Sequence, residues 1–155
     1  MPHVTDIVQM LQSLIRVEVD QFDAVDARLR AEAGMLLIEL MPLRVIAGVA
    51  DCRVQDFADG MGISVGGASK SVDRLAARGW LRREAHPDDR RSSILRLTDQ
   101  GERAREEGDR IAAEVLRTRL AGVLGAELPA LDELLARLDP TRSGHAVSGS
   151  AGIRS

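Results

Sequence analysis

Two short stretches of the chain carry the side chains best suited to chemistry with an anionic partner. The first is Ser64-Val65-Gly66-Gly67-Ala68-Ser69-Lys70, with Arg74 one helical turn beyond Lys70. At the start of a helix the backbone N–H groups point outward and the peptide dipoles favour negative charge, so this composition suits a phosphate. Ser64 and Ser69 can hydrogen-bond phosphate or base edges, Lys70 can reach guanine or phosphate, Arg74 a phosphate, and Ala68 offers contact to a thymine methyl. Each glycine inside a helix costs about 1 kcal/mol relative to alanine. The Gly66-Gly67 pair therefore reads either as close approach of the backbone to DNA or as a frayed helix start. The second stretch is Asp89-Arg90-Arg91, where Asp89 and Arg91 stand two apart on a turn and can leave it on one face; Arg90 is placed for a phosphate. The plain alternatives are solvated charges at Lys70 and Arg74 and a local salt bridge at Asp89 and Arg91.

Other reactive residue types are sparse. Cys52 is the only cysteine, which excludes an intramolecular disulfide and a thiolate cluster. It lies between Asp51 and Arg53 where a first short strand is expected; Arg53 would lower the thiol pKa and Asp51 raise it, and a small structural residue is the simpler reading. His3, His86 and His145 are far apart, and neither a metal set, a Ser/His/Asp set nor a phosphate-binding glycine loop is present. An enzyme, a cofactor and a bound metal are not expected, and no residue is assigned as catalytic. His86 is read as a turn residue that could meet phosphate when protonated, and Trp80 as packing at the root of a hairpin. The chain contains Trp80, Phe22 and Phe57 and no tyrosine, too few aromatics for a module that stacks single-stranded bases.

The elements that must position these residues follow from hydrophobic spacing. Val4 to Arg30 reads as a long amphipathic helix built on Ile7, Leu11, Leu14, Ile15, Phe22, Val25 and Leu29. After Gly34, the stretch Met35–Ala50 reads as a largely buried helix whose regular part starts near Leu40–Met41, or is kinked there, because Pro42 lacks an amide donor. Val54–Gly60 is a short helix with Phe57 and Ala58 facing inward, Gly62 breaks it, and Ser64 caps a second helix running to about Arg78. Two short helices joined by a tight glycine turn form a helix-turn-helix. Gly79 ends the second helix, Trp80–Arg83 can form a strand, Ser93–Leu97 alternates as the return strand, and the polar Ala85–Arg91 joins them, which makes a wing. Thr98 caps a helix opening at Asp99, Glu102 to about Val123 continues helical, and Glu127–Leu138 forms a last amphipathic helix. The tail after Asp139 has too little apolar content to pack and is expected to be disordered.

The chain has 155 residues, 21 basic and 24 acidic, for a net charge of −3. That length and its 45% hydrophobic content suit one soluble globular domain. No apolar run reaches the roughly 18 residues of a membrane span, and Met1–Asp6 is no secretory signal, so a cytoplasmic location is expected. The net charge alone would argue against nucleic acid, but it averages two regions. Gly62–Arg96 holds eight basic and four acidic residues, or +4; the rest holds 13 basic and 20 acidic, or −7. A basic head on an acidic body would repel DNA everywhere except at the wing and the second helix.

Arg53-Val-Gln-Asp-Phe-Ala-Asp-Gly-Met-Gly-Ile-Ser, then Ala68-Ser-Lys-Ser-Val-Asp-Arg-Leu, then Gly79-Trp-Leu-Arg-Arg resembles the MarR (multiple-antibiotic-resistance regulator) family. Pro87-Asp-Asp-Arg-Arg-Ser-Ser-Ile-Leu-Arg-Leu-Thr-Asp-Gln-Gly101 is similar to that family's passage from wing to helix, and the order of elements fits over residues 5–138. The resemblance implies a mainly α fold with a small β-wing: a winged helix-turn-helix domain plus intertwined N- and C-terminal dimerisation helices. Residues 1–34 would form the N-terminal dimerisation helix, 35–100 the DNA-binding domain, 101–139 the C-terminal dimerisation helices and 140–155 the tail. It further implies a homodimer, usually a repressor, that binds a pseudo-palindromic operator in double-stranded DNA. Release would be by a small, often aromatic effector, or by thiol oxidation. No membrane is involved. By the same resemblance Arg91 enters the minor groove and Asp89 orients it. The effector pocket would lie between the first helix, the second and the start of the fifth, with Arg16, Glu18, Met35 and Met41 as candidate lining residues. Gly66-Gly67 departs from the family, whose members often carry Arg, Lys, Ser or Thr there. Thiol-sensing relatives place their cysteine in the first helix beside tyrosines, which this chain lacks. The competing readings are a redox response through Cys52 and a winged-helix protein-interaction module that does not bind DNA.

Overall fold

The computed structural model describes residues 6–139 and 141–142; the expected disordered tail lies almost wholly outside them. The chain divides into two compact units at Thr118/Arg119. In the first, helix α1 spans Ile7–Ala33, α2 Leu37–Gly48, α3 Val54–Met61 and α4 Val65–Ala77. Strands β1 (Leu81–Ala85) and β2 (Ser93–Leu97) follow, and then α5 (Asp99–Leu116). The strands form one antiparallel pair with Leu81 opposite Leu97 and Ala85 opposite Ser93. The predicted winged helix-turn-helix is present.

One core joins all of these elements: Val25 and Leu29 of α1, Leu40 and Leu43 of α2, Phe57 of α3, Val72 and Leu75 of α4, Leu95 of β2 and Ile111 of α5 are all buried. The C-terminal half of α1 and helix α5 thus pack with the winged segment in a single unit. Two glycines allow α5 to come this close. A Cβ on Gly101 would lie 2.0 Å from the Trp80 carbonyl oxygen, and one on Gly108 would lie 2.7 Å from Leu40 Cδ1. The N-terminal half of α1 is different: Ile7, Leu11, Leu14 and Ile15 are exposed.

Helix α2 begins at Leu37, earlier than Leu40–Met41, and carries Pro42 in its interior. The reason is long-range capping. Asp26 Oδ1 of α1 accepts from the Leu37 N–H at 2.7 Å, and Glu39 Oε2 accepts from the Leu36 N–H at 2.9 Å. Those two bonds satisfy amides at the helix start that would otherwise lack partners. The helix therefore nucleates ahead of the proline, leaving only the Ile38 carbonyl without its usual donor.

In the second unit, α6 (Gly122–Leu124) and α7 (Leu128–Leu138) follow a π-helical turn at Arg117–Ala121. Val123, Leu134 and Leu138 are exposed, and Arg142 pairs with Asp132 at 2.9 Å. Among the described residues no helix is long and apolar enough to cross a membrane.

Candidate nucleic-acid interface

Gly62 ends α3 in the left-handed conformation, with φ at +63°, which turns the chain into α4. Ser64 then caps α4, its Oγ accepting from the Gly67 N–H at 3.1 Å. Ala68, Val72 and Leu75 face the core, and Gly66, Lys70 and Arg74 line up four residues apart on the opposite, exposed face. The sequence-based expectation for Ala68 is corrected here. It is completely buried, so its methyl packs inward and offers no surface to a thymine. Ser64 is exposed and Ser69 half-buried beside it.

The glycine pair has no internal cause. A Cβ on Gly66 would meet nothing nearer than Ser64 Oγ at 4.0 Å, one on Gly67 would meet the same oxygen at 3.3 Å, and neither residue has a positive φ. Packing among the described residues does not demand them.

At the wing, Asp89, Arg90 and Arg91 are all exposed on the turn between β1 and β2. Asp89 Oδ1 accepts from the backbone N–H of Arg91 at 3.0 Å, and the Asp89 carbonyl accepts from the Ser92 N–H at 3.1 Å. The carboxylate thus fixes the backbone that carries the arginine rather than gripping its guanidinium. Trp80 is buried at the root of the hairpin, with the Arg78 guanidinium 3.9 Å from its ring centroid. His86 is tied rather than free: its Nε2 lies 2.8 Å from Arg53 Nη2.

Ion pairing sorts the eight basic residues of Gly62–Arg96. Arg78 pairs with the buried Glu39, Arg82 with Glu84, Arg83 with Asp73, and Arg96 with both Asp51 and Glu84. Among the described residues, Lys70, Arg74, Arg90 and Arg91 have no such partner. The four cations that the sequence selects for phosphate and groove contact are the four that the fold leaves uncompensated.

The remaining candidates fall elsewhere. Cys52 is completely buried, and burial, then Asp56, pushes its thiol pKa up to about 11. Neither flanking charge governs it, because Asp51 is engaged by Arg96 and Arg53 by His86. The expected first strand is reduced to one bridge, Arg53 to Ile94, beside a 2.7 Å bond from the Leu95 N–H to the Cys52 carbonyl. A mostly apolar cavity of about 430 Å³ lies between α1, α2 and α5, with Phe22, Val25, Leu37, Met41 and Ala112 in its walls and Glu18, Arg44 and Asp109 among its polar groups. It uses the later half of α5, not its start. Of the four candidate lining residues, Glu18 and Met41 line it; Arg16 is exposed elsewhere on α1, and Met35 is buried in the core. The spacing of Asp109, Ala112, Ala113 and Leu116 on one face of α5 was the signal that could have located it. Among the described residues no group of three or more His, Cys, Asp or Glu could hold a metal.

Comparison with known proteins agrees with this architecture. Residues 33–92 match the sequence model of the MarR family. The HTH-type transcriptional regulator BilQ of Clostridium symbiosum is 30% identical over 94 residues, 61% of this chain and 65% of that protein. The chain therefore spans just under two thirds of that relative's length. Among solved structures, the transcriptional repressor CouR bound to a 23-mer DNA duplex has a TM-score of 0.77 at 24% identity, covering 89% of this chain and 98% of that one. CouR from Rhodococcus jostii bound to p-coumaroyl-CoA has a TM-score of 0.72 at 22% identity, over 89% and 95% of the two chains. Residues 33–92 thus carry the sequence pattern of the MarR family, and the chain shares the winged-helix fold of these solved structures.

Proposed function

We propose that the protein is a DNA-binding transcriptional regulator, a homodimeric repressor that docks α4 in the major groove and the wing in the minor groove of a pseudo-palindromic operator. The observation that carries the reading is the coincidence of four uncompensated cations, Lys70, Arg74, Arg90 and Arg91, with the exposed faces of α4 and the wing. Phosphate contacts from these groups would supply affinity, and the first turn of α4 would read base edges. Arg91 would enter an A·T-rich minor groove, where the potential favours a guanidinium. The exposed apolar residues of α1 are the surface that a second copy would cover. Two subunits would then address half-sites about one helical turn, roughly 10 bp, apart.

The cavity between α1, α2 and α5 is the place for a small, largely apolar effector that releases the DNA. Support comes from its walls and from the ligand-bound CouR structure of the same fold. A gel shift with the duplex upstream of the protein's own gene tests the reading. Salt-sensitive binding supports it; absence of binding leaves the winged domain as a protein-interaction module.

A further inference from the structure

We propose that Arg53 is a positioning residue for the wing, acting through His86, and that operator affinity falls when the His86 ring takes up a proton. The inference rests on the operator-binding reading above. Arg53 stands at the junction of the helix-turn-helix and the wing. It is the residue before α3, its N–H donates to Asp56 Oδ2 at 2.9 Å, and its backbone bridges Ile94 of β2. Its side chain then crosses to the end of β1, placing Nη2 2.8 Å from His86 Nε2. The His86 N–H donates to the Ser92 carbonyl at 3.2 Å, closing the hairpin just below the turn that carries Arg90 and Arg91.

A guanidinium has donors only, so the contact is a hydrogen bond only while His86 Nε2 holds a free lone pair. The other ring nitrogen, Nδ1, faces a second donor, the Asp88 N–H, at 3.1 Å. A neutral ring can accept from one of the two. An imidazolium can accept from neither, and it sets two cations 2.8 Å apart. Charged residues on the elements that meet here include Arg53 just before α3, Asp56 on α3, Glu84 on β1, Arg96 on β2 and Asp88 in the turn. Glu84 is already engaged by Arg82 and Arg96, and Asp56 by the Arg53 N–H. Protonation therefore loosens the wing from α3 and with it the placement of Arg91. The sign is distinctive. A histidine that merely faced phosphate would strengthen binding on acidification, because its new charge displaces a counterion.

The test is fluorescence anisotropy of the full chain with the duplex from its own upstream region. Titrations at fixed ionic strength would run from about pH 8 to about pH 5.5, the span over which an imidazole changes charge. Wild-type affinity should fall about tenfold on acidification, the scale of one charge-assisted contact. Arg53→Gln should give a flat profile near the acidic wild-type level. His86→Gln, whose amide oxygen still accepts from Arg53, should be flat and bind more tightly than wild type at acidic pH. Long-range 1H–15N spectra, assigned with His86→Gln, fix where the ring protonates. Affinity that rises or stays constant through that protonation overturns the proposal, as does a wild-type profile in Arg53→Gln. Absence of binding at every pH instead overturns the operator-binding reading, and the proposal with it.

Discussion

The carboxylate of Asp89 holds the backbone N–H of Arg91 at 3.0 Å, so the acidic residue of the wing shapes the turn rather than the guanidinium. This bond needs an acceptor, not a charge. Asp89→Asn should therefore keep operator affinity near wild type, whereas Asp89→Ala should weaken it by roughly 1 kcal/mol, the scale of one hydrogen bond. Arg91→Ala should cost ~1–3 kcal/mol, as for a specific groove contact. Equilibrium binding to one duplex at one salt concentration checks all three; a large loss in Asp89→Asn would show that the charge itself is required.

Lys70 and Arg74 stand exposed on α4 with no ion-pair partner among the described residues, while Arg83 is held 2.9 Å from Asp73. Replacing either of the first two by alanine should lower the slope of log affinity against log salt by about 1. Arg83→Ala should change that slope by less. Titrations at several salt concentrations give the slopes directly.

Gly66 separates two explanations of the glycine pair. A Cβ there meets open space and the backbone is helical, so Gly66→Ala should stabilise the fold by about 0.5–1 kcal/mol. If DNA approaches the backbone closely, the same substitution should weaken operator binding. A thermal melt and a binding isotherm on one variant suffice; stabilisation with full affinity would mean that the glycines serve only a loose helix start.

Gly101 makes the opposite prediction for stability. Its Cβ would lie 2.0 Å from the Trp80 carbonyl oxygen, and backbone cannot yield as a flexible side chain can. Gly101→Ala should destabilise the protein by ~1–3 kcal/mol or more, read as a lower denaturant midpoint with an unchanged m-value.

Cys52 is buried and its thiol is held at about 11, well above neutral pH. The thiolate is therefore scarce in the native protein, and its fraction grows only as pH rises toward that value. Iodoacetamide should label Cys52 only on unfolding, and mild peroxide should leave operator binding unchanged. Rapid labelling of the native state would revive a redox role.

Local signals made most of the fold legible. The Gly62 turn, the Ser64 and Thr98 caps and the alternation of Ser93–Leu97 each act within a few residues, and each element appears where those signals place it. What sequence reading missed depends on distant partners. Asp26 starts α2 from eleven residues away, Glu39 neutralises Arg78, and Asp51 takes Arg96. The orientation of Ala68 was available all along, because its spacing to Val72 and Leu75 places it on the core side of α4.

The most direct measurement is the affinity of the wild-type chain and of a variant with Lys70, Arg74, Arg90 and Arg91 all replaced by alanine for the duplex upstream of its own gene. The account predicts salt-sensitive binding by wild type and its loss in the variant, with folding intact by circular dichroism because none of the four side chains has an intramolecular ion-pair partner among the described residues. Equal affinity of the two proteins would contradict it.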